Sequence, residues 1–209
     1  LYNPQLAAWS HAPVANELEQ LTLHRLAHAL GIASGELHAN FTTGGAEANF
    51  SAVLGALTQR FPESGESGLF GLRSRPAIYL TSETHHSFVK LARMTGLGTD
   101  VLHEIPTDAR YVMDIDALQS RLRADIQDGC TPLMIVGTAG TTSAGLVDPL
   151  AKLADVAAQH GAWFHVDAAW GGSAALSPRL NGALAGIERA DSVTWDAHKW
   201  LSVPMGAGM

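Results

Sequence analysis

Cysteine is all but missing from this chain: its 209 residues include one, Cys130. A single thiol excludes an internal disulfide and a zinc site made of several cysteines. It fits a reducing cytoplasm, with the thiol buried or incidental. Charge is also sparse. Charged residues make up 16% of the chain and the formal net charge is -7, so the basic face of a general nucleic-acid binder is not expected. Long apolar runs are missing too: none reaches the roughly 18 residues of a membrane span, and no signal peptide is visible. Internal repeats and low-complexity tracts are likewise lacking. These deficits leave a globular domain whose partner is a small molecule, not nucleic acid or a membrane.

What the chain does have is alternation. Helical patterns cover "VANELEQLTLHRLAHALGI", "AEANFSAVLGALTQRF", "HSFVKLARMTGLG", "DIDALQSRLRADIQDG" and "DPLAKLADVAAQHGA". In the first, Leu18, Leu21, Leu26 and Leu30 fall near one face and Gly31 is a plausible C-cap. Asp114 is the expected N-cap of the fourth. Short apolar runs lie between them: "AIYLTS", "PLMIVGTAG", "WFHVDAAW" and "DSVTWDAH". "FPESGESGLFGLRSRP", Phe61 to Pro76, reads as a surface excursion. Strands separated by helices of about 10–15 residues imply parallel β-α-β units. Apolar runs without alternation imply a sheet covered on both faces, hence an α/β fold of three layers, α/β/α. Ligands of such sheets bind at the carboxyl ends of the strands. The chain opens on Leu1 and closes on "PMGAGM", within what reads as a strand, so residues 1–209 are expected to be part of a larger domain arrangement.

The chemically suggestive residues cluster at those strand ends. In "FTTGGAEANF" two glycines open a helix, either as a simple tight turn or as an anion site, where free N–H groups and the positive helix end meet a phosphate. The pattern is neither a Walker loop nor a dinucleotide fingerprint. "TSETHHSF" places His85 and His86 after a strand. Adjacent side chains diverge and no third ligand is near, so no metal is expected; a flat imidazole could stack on a planar ligand. Asp167 in "FHVDAAWGG" follows an apolar strand and needs a partner, or else it caps the next segment. Small residues beside it leave room for a flat object. Lys199 in "WDAHKWLSV" is framed by Trp195, Trp200, Leu201 and Val203. It either snorkels to solvent or offers a nucleophilic amine from an apolar pocket. His198 could donate to an anion, and "GTAGTTSAG" adds hydroxyls. Together the pieces describe one ligand bearing a phosphate, an aromatic ring with a basic nitrogen, and an aldehyde. Pyridoxal phosphate has all three.

Taken together, these motifs resemble those of the group II pyridoxal-phosphate-dependent amino-acid decarboxylases. "TTGGAEAN", "SETHHSF", "GTAGTTSAGLVDPL", "FHVDAAWGGSAALSP" and "ADSVTWDAHKWL" carry the likeness, which runs over nearly the whole chain. The resemblance implies the large domain of a fold-type-I enzyme, with a further small domain and a homodimer interface that completes the site. It implies decarboxylation of an L-amino acid to the amine and CO2. Lys199 would hold the cofactor as an internal aldimine and Asp167 would pair with the ring nitrogen. His86 would stack on the ring with Ala169 on its other face. Gly44, Gly45 and Ala46 would bind the phosphate, with His198 assisting, and Thr142 would lie near the ring oxygen. Asp196 stands where many members have Asn; a carboxylate there repels a phosphate unless it points away. Other lyases of this fold, similar to sphingosine-phosphate lyase or cysteine desulfurase, and an inactive domain that keeps the fold remain open alternatives.

Overall fold

The apolar runs form the interior of one parallel sheet. The computed structural model describes residues 5–32, 35 and 37–209. The strands are β1 (Arg75–Leu80), β2 (Leu102–Glu104), β3 (Cys130–Thr138), β4 (Trp163–Asp167) and β5 (Ser192–Thr194). Their order is β2-β1-β3-β4-β5 and every pairing is parallel. β2 was not foreseen: three residues at a sheet edge are too few to show a pattern.

The helices are α1 (Pro13–Ala29), α2 (Gly45–Arg60), α3 (Ser64–Ser67), α4 (Ser87–Met94), α5 (Ile115–Gln127), α6 (Leu150–His160) and α7 (Ala197–Trp200). They cover the sheet on both faces, giving the expected three layers. Strand residues alternate between the two sides. Ile78, Met134 and Val136 pack with Val53 and Leu57 of α2 and Phe88 and Leu91 of α4. Tyr79, Ile135, Phe164 and Val166 pack with Leu118 and Leu122 of α5 and Leu150, Leu153 and Val156 of α6. Both α5 leucines are fully buried, each contributing roughly 1.5–3 kcal/mol of apolar burial. Cys130 is buried at the start of β3 and unpaired.

Local signals set the helix ends. Asp114 Oδ1 accepts the N–H groups of Asp116 and Ala117 at 2.9 and 3.0 Å, capping α5. Gly161 closes α6 with φ +61°, a left-handed conformation that glycine adopts without a Cβ penalty. The face expected of α1 is only half correct. Leu23, Ala27 and Leu30 turn inward, whereas Leu18 and Leu21 are 57% and 49% exposed. Two stripes, 14/18/21 and 23/27/30, share helical spacing, and packing against the sheet selects the second. The Phe61–Pro76 excursion is anchored by buried Phe61 and contains the short α3, with Phe70 wholly exposed.

Candidate active site

Three strands end side by side, and their last residues are in register: Thr138 pairs with Asp167, and Asp167 with Thr194. A cleft opens there. Gly45, Ala46 and Asn49 of α2 line one side. The others come from His85 and Glu83 beyond β1, Thr138, Gly140 and Thr142 beyond β3, Asp167, Ala169 and Trp170 at β4, and Asp196 and Lys199 around α7. Asp167 and Lys199, far apart in sequence, thus face one space at the carboxyl end of a parallel sheet. A larger hollow of about 500 Å³ lies at the opposite end of the sheet between α2 and α6, lined by residues such as Ala56, Arg60, Ala157 and Trp163 but by no lysine or histidine.

Asp167 is buried, 5% exposed, and both its oxygens are held from behind. Oδ1 accepts the Ala169 N–H at 3.1 Å and Oδ2 accepts Asn49 Nδ2 at 2.9 Å. A donor on each oxygen fixes the orientation of the carboxyl group. Asn49 was not singled out from the sequence, nor was His165, whose Nε2 lies 3.0 Å from Asn49 Oδ1. Signals for both exist: Asn49 stands one turn after Gly45, and His165 precedes Asp167 by two residues on one strand, hence on the same face.

The opposite wall is less completely bonded. α7 begins right after Asp196 and brings Asp196 and Lys199 together at i,i+3, with Nζ 3.3 Å from Asp196 Oδ2. Of the two surroundings open to Lys199, solvent and an apolar pocket, the structure gives the more exposed one. Its side chain is 37% exposed and its nearest charged neighbour is a carboxylate, because a single helical turn lifts it to the cleft mouth. Asp196 is 3% exposed and faces into the cleft: a Cβ added to Gly45 would stand 2.9 Å from its Oδ2 and 3.1 Å from the Ala169 Cβ. Glycine at 45 therefore keeps open the space between α2 and both acid-bearing strands. The His198 ring lies beside Gly44. Its Nδ1 is 3.2 Å from the Ala207 carbonyl, which it serves as donor.

The two histidines differ in exposure. His86 occupies the N-cap position of α4 and is exposed, while His85 is half-buried and lines the cleft. Their rings lie together, with centroids 4.3 Å apart. Burial, followed by the adjacent His86, holds the His85 pKa below its ordinary value, so its ring is neutral at neutral pH.

The residues fit pyridoxal phosphate. The N–H groups of Gly45 and Ala46 in the first turn of α2 have no intrahelical acceptor, and Gly45 offers a cradle that a Cβ would fill. Thr138 Oγ1 is buried without a hydrogen-bond partner beside that space, whereas Asp196, which does not point away, sets an unpartnered carboxylate oxygen against any anion there.

Comparison with known proteins agrees. The family model described as the pyridoxal-dependent decarboxylase conserved domain matches residues 2–209. The chain is similar to cysteine sulfinic acid decarboxylase of Homo sapiens, 40% identical over 193 residues, covering 91% of this chain and 38% of the relative. It therefore spans well under half the length of that curated relative. The crystal structure of mouse CSAD superimposes with a TM-score of 0.94 at 37% identity, over 99% of this chain and 42% of the other. Oryza sativa TDC with PLP and tryptamine gives a TM-score of 0.86 at 35% identity, over 96% of this chain and 44% of the other.

Proposed function

This chain belongs to the pyridoxal-dependent decarboxylase family, and from that premise we propose that the protein removes the carboxyl group of an L-amino acid as CO2, releasing the amine, with pyridoxal phosphate as cofactor. The observation that carries the reading is the convergence of the Asp167 carboxylate, the Lys199 amine and the α2 N-terminus on one cleft. When bound, the cofactor supplies an electron sink for the pair left on Cα as CO2 departs. The chain's own residues do the rest. The N–H groups of Gly45 and Ala46 bind the phosphate with the positive end of α2 behind them. Asp167, anchored by Ala169 N–H and Asn49, would pair with the ring nitrogen. His85 and Ala169 would hold the ring between them. Thr142, at the cleft mouth, would bind near the ring oxygen. Lys199 is the covalent anchor, its amine oriented by Asp196 at 3.3 Å.

Residues 1–209 form the large cofactor-binding domain in this reading, and a homodimer completes the site. The outward stripe of Val14, Leu18 and Leu21 on α1, with exposed Trp9, supports such a partner surface. The one buried thiol supports a cytoplasmic setting. Among the described residues, no helix is long and apolar enough to cross a membrane.

The test supplies the intact protein with pyridoxal phosphate and carboxyl-labelled amino acids, cysteine sulfinate and tryptophan among them. Labelled CO2 and the matching amine are expected. Lys199→Ala is expected to lose the visible absorbance of lysine-bound cofactor and to lower turnover by on the order of 10³-fold or more. Cleavage of the substrate with its carboxyl group retained would instead indicate another lyase of this fold.

A further inference from the structure

Behind Asp167 runs a directional chain of hydrogen bonds, part-buried at Trp163 and Ser192 and buried from His165 inward. Trp163 Nε1, which can only donate, stands 2.7 Å from Ser192 Oγ. The Ser192 hydroxyl receives that bond, leaving its own proton for His165 Nδ1 at 2.8 Å. A neutral imidazole that accepts at Nδ1 carries its proton on Nε2. That proton points at Asn49 Oδ1, 3.0 Å away. With its carbonyl engaged, Asn49 turns its NH2 group to Asp167 Oδ2 at 2.9 Å and to Ser87 Oγ at 3.2 Å.

Resting on the decarboxylase reading, we propose that Asn49 and His165 are positioning residues: His165, as its Nε2–H tautomer, locks the Asn49 amide so that its NH2 group, not its carbonyl, faces Asp167. Neither touches the substrate's reacting carbon in this arrangement; both act through Asp167. An amide turned the other way would set a carbonyl oxygen against a carboxylate, and the acid could then bond only as the protonated form. The lock thus keeps an N–H donor on Asp167 Oδ2 and leaves the remaining lone pairs of the acid free for the cleft.

Burial supports the neutral ring. His165 is 0% exposed, and burial pushes its pKa down to about 4 against the opposing pull of Asp167. The other titratable groups near this pair line the cleft in front of Asp167: Glu83, His85, Asp196 and Lys199. From α4 and β5, His165 meets uncharged Phe88 and Ser192.

The experiment follows kcat/KM of the loaded, intact protein from about pH 5 to about pH 9. His165→Leu leaves Asn49 Oδ1 without a donor and frees the amide to turn. The acidic limb is expected to move up by about one pH unit and kcat/KM to fall on the order of tenfold, mostly in kcat. His165→Gln can place an amide N–H on the same carbonyl and is expected to recover most of both effects. Equal losses in the two variants at matched cofactor occupancy would overturn the lock. A second readout needs neither cofactor nor variant. Histidine-selective ¹⁵N spectra of the wild-type apoprotein should show a buried Nε2–H ring that does not titrate between about pH 5.5 and 8. A charged ring or an Nδ1–H tautomer at His165 would also overturn the proposal. An intact wild type that binds no cofactor and releases no CO2 would defeat the decarboxylase reading instead, and the apoprotein tautomer would still decide the lock.

Discussion

The two walls of the cleft are bonded to different degrees. On the β4 wall, Asp167 has a donor on each oxygen, and one of those donors is itself oriented by a buried histidine. On the α7 wall, Asp196 is as deeply buried, yet its Oδ1 has no hydrogen-bond partner and its Oδ2 meets an exposed lysine at 3.3 Å. Two carboxylates in one cleft therefore have different duties. The first is an acceptor whose orientation is fixed before anything binds. The second is a counter-charge to an exposed amine, with His198 Nε2 3.6 Å from the same oxygen. Burial alone would have made the two look alike; the bonding pattern separates them.

The strongest way to break this contrast is Asp167→Asn in the intact protein. The amide should still fill the site and allow cofactor to bind, but it cannot hold a proton on the ring nitrogen as a carboxylate does. Turnover is expected to fall by on the order of 10²–10³ at unchanged cofactor absorbance. Near-full activity would deny the β4 wall its special role.

A smaller effect concerns stability in acid. The His165 ring is neutral when folded, with a pKa pushed from 6.5 to about 4 by burial, and protonates freely when unfolded. Its contribution is therefore intact above about 6.5 and is lost as pH falls from there toward about 4. Urea midpoints at about pH 7 and about pH 5 should differ by about 2 kcal/mol from this group. His165→Gln should flatten that difference, and an unchanged slope would show that the β4 wall tolerates a charge.

The smallest effect sharpens the α7 wall. Asp196→Asn removes a negative charge beside the phosphate-binding helix end, so cofactor should bind about 2- to 5-fold more tightly, less so in high salt. Weaker binding would mean that Asp196 matters chiefly for orienting Lys199.

Much of this was legible in the chain itself. Buried strands announced themselves by continuous apolar runs such as "PLMIVGTAG", and Asp114 announced the start of α5, since both signals are local. Seven of the thirteen residues lining the cleft were named as site residues as well: Gly45, Ala46, Thr142, Asp167, Ala169, Asp196 and Lys199. Direction was harder to read. His86 was named for stacking, and it is His85 beside it that lines the cleft. Leu18 and Leu21 were placed on the buried face of α1, because two stripes of equal spacing cannot be ranked without the surface they meet. The sequence neighbours of Lys199 allow solvent or an apolar pocket, and a helical turn brought Asp196 to it.

The sequence by itself determined the fold class and the chemical inventory: short continuous apolar runs specify buried strands and a period of 3.6 specifies helices, and an amine, an acid and a glycine pair at strand ends specify what can be done there. Only the tertiary structure decided which ring faces the cleft, which way Asp196 points, and that Asn49 and His165 stand behind Asp167. Those facts depend on side chains 116 and 118 positions apart meeting at hydrogen-bond distance. Chain order carries no record of such meetings, because the packing of α2 against β4 brings them about.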